Sequence, residues 1–183
     1  VFQYTIQAGE SDADGISIGA NALALNSGTI RDAAGNNATL THSAVSANAS
    51  YKVDTTAPSA VWSAATDNVG VVTGSLTSGD STDDTALALS GTNESGSSVN
   101  VYNGTTLLGA ATVSGTGWSY TATVSNGTTY QFNVKETDAA GNTSAATSNF
   151  AVTGDPTAPT VSSVSISSAS GVQNSLLNAG DVV

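Results

Sequence analysis

The chain has 183 residues, 39% of them hydrophobic but only 5% aromatic, so a core built from it must rest mainly on Val, Leu, Ile and Ala. With 14 acidic residues against 3 basic ones the formal charge is −11, which excludes nucleic acid and anionic membrane surfaces as partners, because phosphate binding needs clustered Lys and Arg. The absence of Cys excludes disulfides, thiolate metal sites and cysteine nucleophiles, and no run approaches the ~20 apolar residues that a membrane span needs.

Taken in chain order, Val1–Gln7 reads as a strand, since Phe2, Tyr4 and Ile6 alternate with Gln3, Thr5 and Gln7. It lacks the basic start and apolar run of a signal peptide. Glu10-Ser11-Asp12-Ala13-Asp14-Gly15 echoes the opening of an EF-hand loop, but Asn21 stands where the twelfth-position acid belongs, and a plain turn is the better reading. Ile16–Ile18, Leu23–Leu25, Ala38–Thr41 and Tyr51–Val53 are short strand candidates. Further on, Ser98–Tyr102, Thr106–Thr112, Gly117–Val124 and Thr129–Glu136 are β-rich, and in the last Tyr130, Phe132 and Val134 alternate with polar residues. Asn103-Gly104 and Asn126-Gly127 fall between such runs and predict type I′ hairpin turns, with both residues at positive φ. Gly180–Val183 again reads as a strand. No segment carries an apolar helical stripe, so the expected fold class is all-β.

The sequence also repeats itself. Asp32-Ala33-Ala34-Gly35-Asn36 returns as Asp138-Ala139-Ala140-Gly141-Asn142, and Thr56-Ala57-Pro58 returns as Thr157-Ala158-Pro159 with Asp54 and Asp155 upstream. Pro58 and Pro159 lie 101 residues apart, the size of one immunoglobulin-like sandwich. Each proline fixes φ and extends its predecessor, which makes a short, stiff linker. The expected organisation is tandem immunoglobulin-like β-sandwich domains: residues 1–55 the C-terminal part of one, 56–155 a complete one, and 156–183 the N-terminal part of a third. The whole reads as a window cut from a longer polypeptide.

Asp54-Thr55-Thr56-Ala57-Pro58, Thr66-Asp67-Asn68-Val69-Gly70, Ser81-Thr82-Asp83-Asp84, Leu89-Ser90-Gly91-Thr92, Val99-Asn100-Val101-Tyr102, Trp118-Ser119-Tyr120 and Thr137-Asp138-Ala139-Ala140-Gly141-Asn142 together resemble the bacterial immunoglobulin-like repeats of giant adhesins exported by type I secretion. The flanking segments resemble another repeat type of the same proteins. The resemblance implies an extracellular stalk on a bacterial cell surface, neighbouring repeats as partners, and Ca²⁺ held by carboxylates at the domain junctions.

The residues make a parallel case for Ca²⁺. Asp54, Asp67, Asp83 and Asp84 flank turns or linkers near the start of the middle unit, loops at one end of a sandwich cluster in space, and Asp32 could face the same junction. Carboxylates so gathered repel one another without a cation, and Ca²⁺ takes 6–8 oxygens. The competing reading is turn chemistry, because Asp bonds its own backbone. Asp138 and Asp155 are the expected ligands of the second junction, with Asn142, Asn178 and Asp181 as weaker candidates.

Catalysis finds little support. His42 is the only histidine, no nucleophile elbow is present, and Ser95-Gly96-Ser97-Ser98 lacks the Lys of a phosphate loop. His42 is read as a surface residue, and Trp62 and Trp118 as core or junction packing. A non-enzymatic stalk is therefore expected. The alternatives are a module that contacts glycan or a surface protein through exposed aromatics, or a filament subunit that adds strands from another copy at its edges.

Overall fold

The computed structural model describes residues 3–163, and among these there is no helix. The expected strand Gly180–Val183 and the weaker candidates Asn178 and Asp181 lie outside the described residues.

The first unit carries four short strands, β1 (Ser11–Asp12), β2 (Ile16–Ile18), β3 (Val45–Asn48) and β4 (Val53–Asp54), joined as the antiparallel pairs β1–β4 and β2–β3. Three expected strands are not formed: Gln3–Gln7, Leu23–Leu25 and Ala38–Thr41 are irregular. An alternating pattern makes a strand only where a neighbour accepts its backbone bonds and covers its apolar face. Here neither is supplied: Tyr4, Ile6, Ile16, Ile18, Ile30, Val45 and Tyr51 are all exposed, and between residues 3 and 55 only Gly15 is buried.

The middle unit is a β-sandwich. Its strands are β5 (Val61–Asp67), β6 (Gly74–Ser75), β7 (Ser81–Thr82), β8 (Ala86–Thr92), β9 (Ser98–Asn103), β10 (Thr106–Ala110), β11 (Thr112–Ser114), β12 (Gly117–Thr123), β13 (Thr129–Thr137) and β14 (Phe150–Gly154). One sheet has the order β10-β9-β13-β14-β7 and the other β11-β12-β8-β5-β6. All pairings are antiparallel except β14 with β7, which run parallel. The inward residues Leu87, Leu89, Val99, Val101, Trp118, Ala122, Phe132, Val134 and Val152 form the core. Their alternation along each strand is what a sheet with one buried face requires.

The turn at Asn103-Gly104 differs from the expected one. Asn103 closes β9 opposite Thr106, and the turn residues are Gly104, at φ +57°, and Thr105. Positive φ at the first central position alone is the type II′ arrangement. Asn126 likewise stays out of the positive-φ region, and only Gly127 enters it.

Strand direction fixes the two ends of the sandwich. Val61 at the start of β5 pairs with Thr92 at the end of β8, while Asp67 at the end of β5 pairs with Gly74. The last strand finishes beside β7, where Thr153 opposes Ser81 and Asp155 N donates to Thr82 O at 2.8 Å. The chain thus enters the sandwich at one end, past the buried Pro58, and leaves it at the other.

Candidate functional site at the two ends of the sandwich

The exit end gathers Asp67, Asp83, Asp84 and Asp155. Asp67 closes β5, Asp83 and Asp84 fill the connection from β7 to β8, and Asp155 follows β14. Asp67, Asp83 and Asp155 line one open depression together with Val71, Val72, Leu76, Ser81 and Thr82. Asp67 and Asp84 are buried, at 4% and 2% exposure, whereas Asp83 and Asp155 are exposed. The buried carboxylates are held by short-range bonds: Asp67 Oδ1 accepts from Val69 N at 2.9 Å, Asp67 Oδ2 accepts from the Thr82 hydroxyl at 2.7 Å, and Asp84 Oδ1 accepts from Ala86 N at 2.8 Å. The loop after β5 passes so close to Asp83 that a Cβ on Gly70 would lie 2.1 Å from Asp83 Oδ2.

The entry end gathers Asp54, Asp138 and Asn142. Asp138 Oδ1 accepts from Asn142 N at 2.8 Å and its Oδ2 from Asn142 Nδ2 at 2.8 Å, so the loop closes on its own first and last side chains. The same amide Nδ2 donates to the linker carbonyl Asp54 O at 3.1 Å. Asp54 Oδ1 accepts from Thr56 N at 2.9 Å, a turn bond within the linker.

This placement corrects the expected grouping. Asp67, Asp83 and Asp84 do not share the first junction with Asp54, because β5 carries the chain from the entry end to the exit end. Asp138 and Asp155 do not share the second, because β13 and β14 are antiparallel neighbours that finish at opposite ends. Asp32 lies in the first unit, within a loop that copies the one at Asp138. Asp32 Oδ1 accepts from Ala34 N at 3.0 Å and Asn36 N at 2.9 Å, and Oδ2 accepts from Asn36 Nδ2 at 2.9 Å. In both loops these bonds hold the carboxyl below the usual aspartate range, the Asn36 and Asn142 side-chain amides being the largest causes. The repeated five-residue motif is therefore a self-closed turn wherever it occurs.

A metal needs converging oxygens. Among the described residues no group of three or more His, Asp or Glu is positioned to hold an ion. The exit end nevertheless has the right donor chemistry: all-oxygen, mostly short carboxylates, each retaining lone pairs beyond the bonds named. Such a set fits a hard divalent cation in kind but falls short in number.

The two tryptophans pack together against the sandwich interior. Trp118 is 3% exposed and donates from Nε1 to Val61 O at 3.1 Å. Trp62 packs edge-on against Trp118, ring centroids 5.8 Å apart, and stacks on Phe150 at 5.3 Å. Trp118 is thus buried and Trp62 half-buried with its ring engaged by Trp118 and Phe150, which speaks against an exposed sugar-stacking patch. His42 is half-exposed, with its Nδ1 2.9 Å from Ser43 O. The Asp12–Gly15 stretch is a plain turn closed by Gly15 N donating to Asp12 Oδ1 at 2.7 Å. No helix among the described residues is long and apolar enough to cross a membrane.

Sequence reasoning passed over Asn93 and Glu136, at the entry end. Glu136 is fully buried; its Oε1 accepts from Glu94 N and the Ser97 hydroxyl, both at 2.5 Å, and its Oε2 has no partner, nor has Asn93 Oδ1. The one signal was a charged residue at an inward-facing register position of β13, two after Val134.

Comparison with curated proteins and with solved structures finds no match to this chain. The family model described as "Bacterial Ig-like domain" matches residues 55–156, the sandwich together with Asp155, and the chain belongs to that family.

Proposed function

We propose that the chain is a structural extender segment of a bacterial surface adhesin, its sandwiches strung end to end and stiffened by Ca²⁺ at their junctions. Bacterial Ig-like domains are typically extracellular or surface modules and are generally not enzymes, which agrees with a site built from turns and carboxylates rather than from a nucleophile and base. The observation that carries the reading is the entry of the chain at one end of the sandwich and its exit at the other, with an acidic cluster at the exit. A domain threaded this way adds its whole length to a rod. The exit cluster supports Ca²⁺ because it places Asp83 and Asp155, both exposed, beside two buried carboxylates where the next linker begins. None of the chain's basic residues serves there: Lys135 sits over the Tyr102 ring, Arg31 Nε donates to Asn37, and Lys52 belongs to the first unit.

The test is calorimetry and X-ray scattering of the 183-residue chain with Ca²⁺ and with chelator. Binding at ~10⁻⁴–10⁻³ M, the range of extracellular modules, is expected, with loss on the double change Asp83→Asn, Asp155→Asn and a more extended profile when Ca²⁺ is present. No heat and identical profiles would remove the ion from the reading.

The exposed apolar residues of the first unit favour one further possibility, a second copy of the chain covering them by strand addition. The scattering mass decides it: twice the chain mass supports this pairing and one chain mass refutes it.

A further inference from the structure

We infer that the Asp-Ala-Ala-Gly-Asn loop is a docking element by which one repeat grips the linker of the repeat before it, and that Asn142 is the gripping residue. A primary amide has two hydrogens to donate. Asn142 uses one inside its loop, to Asp138 Oδ2 at 2.8 Å, and one across the junction, to Asp54 O at 3.1 Å.

The carbonyl it grips is firmly placed. Asp54 pairs with Ser11 between β4 and β1. The next residue, Thr55, accepts from Gly9 N at 2.9 Å and donates its hydroxyl to Glu10 O at 2.9 Å. Thr55 thus bolts the linker to the unit before it, and Asn142 bolts the same linker to the unit after it. Asn142 itself is half-buried and Pro58, four residues past the gripped carbonyl, is buried.

The copy of the loop makes the device general. Asn36 closes onto Asp32 Oδ2 at 2.9 Å, as Asn142 does onto Asp138, and among the described residues its second amide hydrogen has no partner. Its matching partner is a backbone carbonyl of a linker patterned Asp-x-Thr-Ala-Pro. Asp155 O stands at the equivalent point of the second such linker, ready for the loop Asn of a following repeat. There Pro156 replaces Thr55 and has neither hydroxyl nor N–H, so the grip by Asn carries more of the junction.

The inference rests on the chain being a string of repeats, and not on Ca²⁺. Residual dipolar couplings of the 183-residue chain in EDTA, compared between the first unit and the sandwich, read it directly. Asn142→Ala is expected to lower the docked-to-undocked ratio roughly 2- to 10-fold, the weight of one net hydrogen bond. The alignment tensors of the two units then diverge. Asn36→Ala breaks the same bond inside its own loop but no linker contact, and leaves the relative alignment unchanged. Wild-type couplings in Asn142→Ala, or an equal change in Asn36→Ala, would overturn the assignment. Where Asn142→Ala disorders its loop, an amide-to-ester replacement between Asp54 and Thr55 weakens the accepting carbonyl and leaves the loop side chains intact, at the cost of the Thr55 N–H. It must give the same loosening, and unchanged couplings there also refute the grip. The wild-type response to added Ca²⁺ on the same couplings judges the ion separately.

Discussion

Gly91 lies between the two tryptophans in a row that crosses three strands, Trp62 on β5 to one side and Trp118 on β12 to the other. A Cβ built there would meet Val61 O at 2.0 Å and Trp118 Nε1 at 2.5 Å. Neither neighbour can yield cheaply: the first is backbone of a paired strand, and the second is an indole wedged against Trp62. Gly91→Ala therefore forces Trp118 off Val61 O. Overpacking costs about 1–3 kcal/mol, and an indole N–H left buried without its acceptor about 1–3 kcal/mol more. Removing backbone freedom from the unfolded chain offsets about 0.4–1 kcal/mol. The expected net loss is about 3 kcal/mol, a large share of the ~5–15 kcal/mol that holds a typical domain. For a domain of this size that corresponds to a fall in Tm of roughly 12–24 °C. Urea unfolding of the 183-residue chain followed by tryptophan fluorescence measures it, because both tryptophans of the protein report on this cluster. A loss under about 0.5 kcal/mol with an unshifted emission spectrum would refute the packing argument.

Two further outcomes follow from the entry end and its loops. Asp32 and Asp138 are held below the ordinary aspartate value of 3.8 by bonds that exist only in the folded loops. Their stabilisation is therefore complete above that value and is lost as pH falls through the lower folded value. The side-chain amide resonances of Asn36 and Asn142 should shift with midpoints below 3.8, and midpoints at or above it would contradict the loop geometry. Glu136→Gln keeps an Oε1 acceptor for Glu94 N and the Ser97 hydroxyl, so it should cost less than truncation of the side chain. Glu136→Ala leaves those donors unpaired and should cost about 2–4 kcal/mol in the same urea assay; a Gln variant as weak as the Ala variant would show that these two bonds do not carry the effect.

The sandwich was legible because its signals are local. The alternation in Thr129–Glu136 became β13 with Phe132 and Val134 in the core. The first unit was over-read for the same reason: Tyr4 and Ile6 alternate as strand residues do, but alternation says nothing about whether a covering sheet is present. The grouping of the aspartates failed through a different step. Asp67 lies close to Pro58 in sequence, and nearness in sequence was taken as nearness in space. A seven-residue strand at ~3.3 Å per residue intervenes and moves the chain by ~23 Å. Counting strand reversals from the linker would have placed Asp67 with Asp155 and Asp138 with Asp54. The buried Glu136 was hidden in a way counting could not mend, because its donors, Glu94 N and Ser97 Oγ, come from a loop some forty residues away.

The same strand directions decide how a pull between the two ends of the sandwich would travel. Tension between Pro58 and Asp155 enters at one end of the sandwich and leaves along β14. The neighbour of β14 on its outer side is the segment around β7, held by Gly79 N to Ala151 O at 2.8 Å, Thr153 N to Asp80 O at 3.0 Å and Asp155 N to Thr82 O at 2.8 Å. Because these strands run parallel, a pull on β14 away from the entry end slides it past β7, and the three bonds, lying across the direction of pull, bear the load together. An antiparallel partner joined by a hairpin at the exit would instead open bond by bond from the loaded end. Asp155 is the last of the three donors and also the first residue of the Asp-Pro-Thr-Ala-Pro stretch, so the ladder ends where the chain leaves the sandwich. A single backbone position thus closes the ladder with its N–H and opens the Asp-Pro-Thr-Ala-Pro stretch with its carbonyl.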